Sequence, residues 1–447
     1  MQTVNYLFSG EGTTRVNFTL GSLGLNPSPG DNDDYQRVKN LIIGEKQFSL
    51  LKICAKYIGF SARWKDVIRT FQVPAHETPQ GFRIETTLED ENLLKLDLVR
   101  DISYDKNGLK RPTNIIFSAD SANPYEVAPI APLLGNLTCN PGIVYDLFIN
   151  NPKANTGGKF KARDEVITEI GRILGPGCDI SVELNNPFEK NFDKILKECE
   201  IFKKILSEYR LVIKVPHTGP VNNGNVHELL EGDKRFSIPF DQGTTADALW
   251  GHNLALKLRE NGYRINYTLM FEPYQTSMAL QAKPYFINSF VRHRFKQSEA
   301  IKQFLDMYDL TGESKYILDL RNYFLANDYL AKGDEGHDLF DVLKLGRDII
   351  RYRNVETSYG DDGLDGVRHN LRMLRQCNLP DTRLIICSME GEYNYPDIDR
   401  LMADPEYADI IDRIIITAEP RYLARFTSTS QVVSYQRRFM NAASGQK

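Results

Sequence analysis

Lys214 interrupts one of the most apolar and strand-like runs of the sequence, Leu-Val-Ile-Lys-Val-Pro. Lysine is almost never fully buried unless it is paired or chemically useful. Its stem can pack against apolar neighbours while the ammonium reaches water. Alternatively, a buried amine can lose its proton and attack a carbonyl group. The run alone favours the first interpretation, so the decision rests on the polar residues elsewhere in the chain.

Other polar residues also interrupt apolar runs or directly follow them: Asp120, Asn140, Glu183, Asn266, Thr268, Asn288 and Ser388. A single residue of this kind is easily structural. A whole series is hard to explain as core packing, because buried polar groups without partners cost free energy. The series therefore predicts one shared site.

Lys214, Glu183 and Asp120 are the minimum set for cleavage of a carbon–carbon bond through an imine. The lysine amine attacks a ketone, and an acid or base must then remove water from the carbinolamine. A second carboxylate accepts the hydroxyl proton when the carbon–carbon bond breaks. We expect burial to lower the pKa of Lys214, because a low dielectric disfavours the ammonium.

The elements that must position these residues are short β-branched runs that alternate with charged segments of helical periodicity. The predicted strands are residues 115–120, 134–138, 179–184, 210–215, 264–271, 285–291, 382–388 and 412–417. This alternation is typical of βα units around a parallel sheet. Eight strands predict an α/β fold, a (β/α)8 TIM barrel, whose catalytic groups lie at the carboxyl ends of the strands.

Outside the regular βα pattern we distinguish extensions and insertions. Residues 1–111 form an N-terminal extension of unknown function with one amphipathic helix at 46–60, residues 112–432 form the barrel, and residues 433–447 form a C-terminal tail. A βα loop usually has about 2–6 residues. Residues 219–245 after strand four and the helix-rich residues 297–378 after strand six are therefore insertions.

The composition is that of an ordinary globular protein, with 41% apolar residues, 26% charged residues and a net charge of −4 over 447 residues. This charge predicts neither a nucleic acid nor a membrane as a partner. We find no secretory signal and no transmembrane run, and we expect a cytoplasmic protein. The six cysteines have no CxxC spacing, which argues against a zinc site and a disulfide framework.

In their order, these motifs resemble the transaldolase family of class I, Schiff-base aldolases, which includes fructose 6-phosphate aldolase. The matching segments are FSADSA at Asp120, Thr138-Cys139-Asn140-Pro141, ISVEL at Glu183, Ile213-Lys214-Val215-Pro216 and Asn266-Tyr267-Thr268-Leu269. The resemblance covers roughly residues 114–426. It implies no cofactor and no metal, and it implies a sugar or sugar phosphate as the small-molecule substrate.

The resemblance also implies a role for each matching residue. Lys214 forms the Schiff base, Glu183 shuttles protons through a water held by Thr268, and Asp120 accepts the hydroxyl proton. The residues that hold the sugar hydroxyls are Asn140 and Asn266, with Asn288 and Ser388 as further candidates.

The sequence departs from the family at the residues that bind the sugar phosphate. The sixth strand of the family reads Ser-Pro-Phe-Val-Gly-Arg, whereas this chain has His293 at the place of the arginine, between Arg292 and Arg294. Glu390 stands at the second arginine position, where its charge would repel a phosphate. We expect little preference for phosphorylated ketoses, although Arg292, Arg294 or residues of the insertion at 219–245 are candidates for a rebuilt anion site.

Three functions stay open. The chain could transfer a dihydroxyacetone unit to an aldehyde, as a transaldolase does. It could be an aldolase that acts on unphosphorylated or unusual sugars, or a barrel that serves binding or assembly. Phe290, at the position of a tyrosine in short-chain fructose 6-phosphate aldolases, favours the transaldolase branch. The oligomeric state, a homo-oligomer included, is open as well.

Overall fold

A computed structural model describes residues 5–8, 14–71, 73–74, 77–105, 107–175, 178–206, 211–353, 364–387 and 398–445. The chain divides into two units, Met1–Thr113 with Gly175–Asp179 and Asn114–Leu174 with Ile180–Lys447. Within the described ranges, no helix has both the length and the apolar character needed to cross a membrane.

The N-terminal unit contains seven strands and three helices within its described residues. The strands are β1 (Asn5–Phe8), β2 (Thr14–Thr19), β3 (Asn26–Pro27), β4 (Ile42–Ile43), β5 (Tyr57–Phe60), β6 (Phe82–Glu89) and β7 (Leu93–Arg100). The helices are α1 (Asn32–Val38), α2 (Glu45–Cys54) and α3 (Ala62–Phe71), and short 3-10 segments span Leu20–Leu23 and Asp90–Asn92. The strand orders of the two sheets are β1-β2-β4 and β3-β5-β7-β6.

The expected helix at 46–60 is only partly correct. Helix α2 ends at Cys54, and Tyr57–Phe60 is strand β5. This strand pairs with β3 and with β7, more than thirty residues further along the chain. Its Ile58 is fully buried, as is Trp64 of α3, whose indole donates a hydrogen bond of 3.0 Å to Asp34. Strand pairing within the sheet therefore overrides the local helical periodicity.

The second unit is a closed barrel, and all eight predicted strands are confirmed. They are β8 (Ile116–Asp120), β9 (Leu134–Cys139), β10 (Asp179–Glu183), β11 (Leu211–Pro216), β12 (Ile265–Thr268), β13 (Phe286–Phe290), β14 (Arg383–Cys387) and β15 (Ile414–Ala418). The strands follow one another around the barrel in chain order, and β15 pairs with β8 in parallel. The fold is a (β/α)8 barrel.

Helices follow the strands and surround them. Their bounds are α4 (Pro124–Val127), α5 (Pro141–Val144), α6 (Arg163–Leu174), α7 (Phe192–Ile205), α8 (Thr245–Ala248), α9 (Trp250–Glu260), α10 (Tyr274–Gln281), α11 (Val291–Thr311), α12 (Lys315–Ala326), α13 (Leu339–Arg353), α14 (Asp365–Gln376), α15 (Pro420–Leu423) and α16 (Ser430–Ala443). Helical 3-10 segments span Ala128–Leu133, Thr156–Gly158, Val226–Leu229, Asp334–Gly336, Pro405–Tyr407, Ile411–Arg413 and Ala424–Thr427, and a π-helical turn spans Tyr145–Ile149.

The insertion after strand six is a helical subdomain with a core of its own. Helices α11, α12 and α13 pack around a buried cluster that contains Ile301, Leu320, Phe324 and Val342. Gly346 lets α13 approach α12, because a Cβ at this position would lie 2.9 Å from the Leu320 side chain. The insertion therefore gains its stability from apolar burial of its own.

Helix α9, which follows the insertion after strand four, is held against the end of β11. Gly251, in the first turn of α9, has no room for a side chain, because a Cβ would lie 2.2 Å from the carbonyl oxygen of Pro216. The neighbouring Trp250 donates a hydrogen bond of 2.8 Å to Pro187 O. These two contacts hold α9 against the end of β11, the strand that carries Lys214, and against the segment that follows β10.

Helix α16 covers most of the segment expected to be a C-terminal tail. The helix begins at Ser430, where Thr429 caps it by accepting from Val432 N. All of its residues are exposed. The expected boundary between residues 432 and 433 falls inside this helix.

Candidate active site

Lys214 and Glu183 form an ion pair between neighbouring strands. Glu183 of β10 lies beside Lys214 of β11, and Lys214 in turn lies beside Asn266 of β12. Side chains at paired positions of parallel strands point to the same face of the sheet. The distance from Lys214 Nζ to Glu183 Oε2 is 3.3 Å, and Lys214 is only 5% exposed. The charge in the apolar run is therefore buried and paired.

The pKa of Lys214 is raised, so the expectation that it is lowered is wrong. Burial does act to lower the pKa, but the charges of Glu183 and then Asp120 outweigh it. The reason is geometric, since strand pairing brings a carboxylate beside the amine and stabilises the ammonium. The resting state is therefore an ammonium–carboxylate pair, and the neutral amine requires that a proton leaves Lys214.

Asp120 lies at the end of β8 and is oriented by the next strand. Thr138 of β9 is paired with it in register and donates a hydrogen bond of 2.7 Å from Oγ1 to Asp120 Oδ1. In the sequence, Thr138 stands out only as part of the Thr138-Cys139-Asn140-Pro141 motif. Thr138 precedes Asn140 by two residues, and side chains two residues apart on a strand face the same side. This inward-facing position is the signal that could have identified Thr138 as the partner of Asp120.

The two asparagines of β12 and β13 contact each other in the barrel interior. Asn288 Nδ2 donates to Asn266 Oδ1 at 2.5 Å and to Tyr267 O at 2.7 Å. Asn266 Nδ2 and Thr268 Oγ1 are buried, and neither has a hydrogen-bond partner among the described residues. Buried polar groups are normally paired, so these two atoms have capacity to bind a ligand.

Asn140 lies just beyond β9 and serves as the N-cap of α5. Its Oδ1 accepts a hydrogen bond of 2.8 Å from Ile143 N. The cap fixes the direction of the side chain and occupies the oxygen. Within the described part of the chain, its amide nitrogen has no acceptor and can bind a substrate hydroxyl.

Arg294 does not form part of an open anion site, contrary to expectation. It is 3% exposed and pairs with Glu272 and with Asp365, whose Oδ1 lies 3.2 Å from Arg294 Nε. Arg353 joins the same cluster through a contact of 2.6 Å between its guanidinium and Glu272. Arg294 therefore links the loop after β12 to helices α11 and α14.

Arg292, unlike Arg294, is not enclosed by carboxylates of the described residues. It is partly exposed, and no carboxylate among the described residues pairs with it. The positive charge of Arg292 acts to lower the pKa of the Cys387 thiol at the end of β14, although burial outweighs this effect. Of the two arginines proposed from the sequence, Arg292 is therefore the one that can meet an anion.

The seventh strand of the barrel, β14, ends at Cys387. The candidate Ser388, as well as Glu390, lies outside the described residues. Cys387 is buried, with its Sγ 3.8 Å from Asn288 Oδ1. Burial raises the pKa of the Cys387 thiol far above its usual range, so the group stays neutral. It is a small apolar wall rather than a nucleophile.

His217 lies behind the strands. Its ring is 4.4 Å from that of Tyr267, which alternates with the inward-facing Asn266 and Thr268 on β12. Burial, together with the charge of His252, lowers the pKa of His217 to about 4. His217 is therefore neutral near pH 7. Within the described residues, no group of three or more His, Cys, Asp or Glu side chains could hold a metal ion.

Comparison with known proteins supports the assignment suggested by the motifs. The family model described as Transaldolase/Fructose-6-phosphate aldolase matches residues 117–304. This segment runs from β8 into α11 and contains Asp120, Glu183 and Lys214. A comparison with curated proteins found no match. Residues 117–304 are therefore similar to the transaldolase/fructose-6-phosphate aldolase family, and this similarity supports an aldolase-type function.

Proposed function

We propose that this protein transfers a dihydroxyacetone unit from a ketose donor to an aldehyde acceptor through a Schiff base on Lys214. The observation that carries the proposal is the buried pair of Lys214 and Glu183, with 3.3 Å between Nζ and Oε2. Asp120 is close enough for its charge to raise the pKa of the same lysine. An amine and two carboxylates are the groups that this chemistry requires.

The first step is the formation of the imine. Because Lys214 rests as an ammonium, its proton passes to Glu183 before the amine attacks the ketose carbonyl. Glu183 then returns a proton to the carbinolamine hydroxyl, which leaves as water. Thr268, whose Oγ1 is buried without a partner among the described residues, can hold the water that relays these protons.

The second step is the cleavage of the carbon–carbon bond. Asp120 accepts the proton of the hydroxyl beyond the scissile bond, and the bonding electrons pass to the iminium to form an enamine. The hydrogen bond of 2.7 Å from Thr138 keeps the Asp120 carboxylate in place. The released aldehyde departs, an acceptor aldehyde enters, and the enamine attacks its carbonyl carbon. Asp120 returns the proton, and hydrolysis of the imine frees Lys214.

Reductive trapping tests the proposal. Borohydride added together with a ketose donor reduces the imine to a secondary amine, and peptide mass spectrometry locates the added mass. We expect the label on Lys214 and its loss in Lys214→Ala. The matched control is Lys283→Ala, because Lys283 lies before β13 rather than in the barrel interior. Label on another lysine, or an active Lys214→Ala variant, would remove the mechanism.

A second candidate function is an aldolase that releases the three-carbon unit without an acceptor. The same residues perform both reactions, because the enamine is common to them and only its final partner differs. Turnover of a ketose with and without an acceptor aldehyde separates the two. A transaldolase needs the acceptor, whereas an aldolase releases the three-carbon ketone by protonation of the enamine.

A further inference from the structure

The eighth strand of the barrel carries a hydroxyl group, that of Thr417, in addition to the candidate site residues of the other strands. Thr417 of β15 lies beside Ser118 of β8 in register. Ser118 is two residues before Asp120 on the same strand, so the side chains of all three point to the barrel interior. Thr417 is 2% exposed. The residue is thus inside the barrel, next to the strand of Asp120.

The other neighbour of Thr417 also belongs to the site. Ile416 of β15 pairs with Ile386 of β14, which places Cys387 beside Thr417. The Cys387 thiol lies 3.8 Å from Asn288 Oδ1 and lies within the influence of the charges of Asp120 and Lys214. Thr417 therefore lies between two strands that both contribute to the surroundings of Lys214.

The hydroxyl of Thr417 has no hydrogen-bond partner among the described residues. Its neighbour Ser118 is satisfied, since Asn136 Nδ2 donates to Ser118 Oγ at 2.9 Å. A buried hydroxyl without a partner costs free energy. Thr417 shares this state with two other atoms of the interior, Asn266 Nδ2 and Thr268 Oγ1. Three polar atoms of the barrel interior without partners among the described residues indicate a polar ligand.

We propose that Thr417 is a further substrate-binding residue, whose hydroxyl bonds to a hydroxyl of the three-carbon ketone unit attached to Lys214. The inference rests on the proposed function and adds to it a contact from the eighth strand. A polyhydroxylated ketone suits the site, because each of its hydroxyls can both donate and accept a hydrogen bond. An apolar ketone gains nothing from Thr417.

The test compares Thr417→Val, which keeps the shape and removes the hydroxyl, with Thr417→Ser, which keeps the hydroxyl. The probes are dihydroxyacetone and acetone, which has the reacting carbonyl but neither hydroxyl. Borohydride trapping on Lys214 gives the ketone concentration of half-maximal labelling. In Thr417→Val we expect this concentration to rise roughly tenfold for dihydroxyacetone. For acetone we expect less than about a twofold change, and Thr417→Ser should resemble the wild type.

An equal change for both ketones would mean a structural role and overturn the inference, as would no change with dihydroxyacetone. If neither ketone labels the wild type, the proposed function fails. The binding of dihydroxyacetone is then measured through the shift that it causes in the melting temperature of the protein. A shift in the wild type and in Thr417→Ser that is reduced in Thr417→Val supports the inference. No shift, or the same shift in all three proteins, overturns it.

Discussion

At the scale of single residues, the site depends on where one proton is held. Lys214 and Glu183 form a buried pair, and the carboxylate raises the pKa of the lysine despite its burial. An ordinary lysine, with a pKa near 10.4, has less than about one neutral amine per thousand at pH 7. The proposed mechanism therefore depends on proton transfer within the pair rather than on a lysine that is neutral at rest.

Glu183→Gln should lower the pKa of Lys214, because it removes the charge that contributes most to raising it. The neutral amine forms when pH rises through this pKa, so the variant should expose it at lower pH than the wild type. The rate of carbamylation of Lys214 by cyanate, followed against pH by peptide mass spectrometry, measures this. Imine formation should nevertheless slow, because the proton shuttle is lost.

The control for this measurement is Asp120→Asn. This variant should shift the pH profile of carbamylation in the same direction by a smaller amount, because the charge of Asp120 raises the pKa of Lys214 less than that of Glu183 does. An unchanged profile in Glu183→Gln, or a shift to higher pH, would contradict the ion-pair account.

Arg292 and Arg294 should respond differently to truncation. Arg292 has no carboxylate partner within the described residues, so Arg292→Ala should reduce kcat/KM for fructose 6-phosphate more than for fructose. Arg294 is buried between Glu272 and Asp365, so Arg294→Ala should mainly lower the free energy of unfolding, by about 3–5 kcal/mol. The measurements are steady-state kinetics on both ketoses and denaturant unfolding.

The wild-type preference for the phosphate ester should stay well below a thousandfold, which corresponds to roughly 4 kcal/mol in transition-state binding. A larger preference would show that other residues rebuild a strong phosphate site. A loss of stability in Arg292→Ala equal to that in Arg294→Ala would contradict the different placement of the two arginines.

At the scale of elements, α9 packs closely against the end of β11, the strand that carries Lys214. A Cβ at Gly251 would lie 2.2 Å from Pro216 O, two residues beyond Lys214. Gly251→Ala must therefore move the helix or the strand, at a cost of about 1–3 kcal/mol. We expect a lower melting temperature and slower trapping of a ketose on Lys214.

The matched control for Gly251→Ala is Gly336→Ala, because a Cβ at Gly336 meets no atom within 4 Å. This variant should keep the wild-type melting temperature and trapping rate. Equal behaviour of the two variants would mean that the close approach of α9 to the end of β11 has no consequence.

At the scale of the whole molecule, the chain divides into two units, and each of them buries apolar side chains. Trp64 is fully buried in the N-terminal unit, whereas the barrel unit buries the apolar faces of its eight strands and of the helical insertion. Cores of this kind can unfold in separate steps. The function of residues 1–111 is open, but their sheets and helices make them a folded unit rather than a simple extension.

Trp64→Ala should destabilise the N-terminal unit by about 3–5 kcal/mol, because it leaves a large cavity. By calorimetry we expect one transition to shift to lower temperature while a second stays in place. Labelling of Lys214 should persist at temperatures below the first transition. Phe324→Ala, in the core of the helical insertion, is the counterpart that should move the other transition. A single transition that moves equally in both variants would contradict the independence of the two cores.

The sequence by itself determined the barrel and the catalytic candidates. Apolar runs with a period of two and charged helical segments predict alternating strands and helices wherever they occur, because these patterns are local. The polar residues at the strand ends stand out against their apolar neighbours. Lys214, Glu183 and Asp120 were therefore identifiable before any contact was known.

Only the tertiary structure decided how these groups affect one another. The direction of the pKa shift of Lys214 depends on two carboxylates brought close by strand pairing, and the sequence contains no distances. Arg294 pairs with Asp365, 71 residues further along the chain, so its availability for a substrate could not be predicted. Thr417 ends an ordinary run of isoleucines and gains significance only from its neighbours on β8 and β14. Contacts between distant segments set pairing, burial and charge, and local sequence patterns do not encode them.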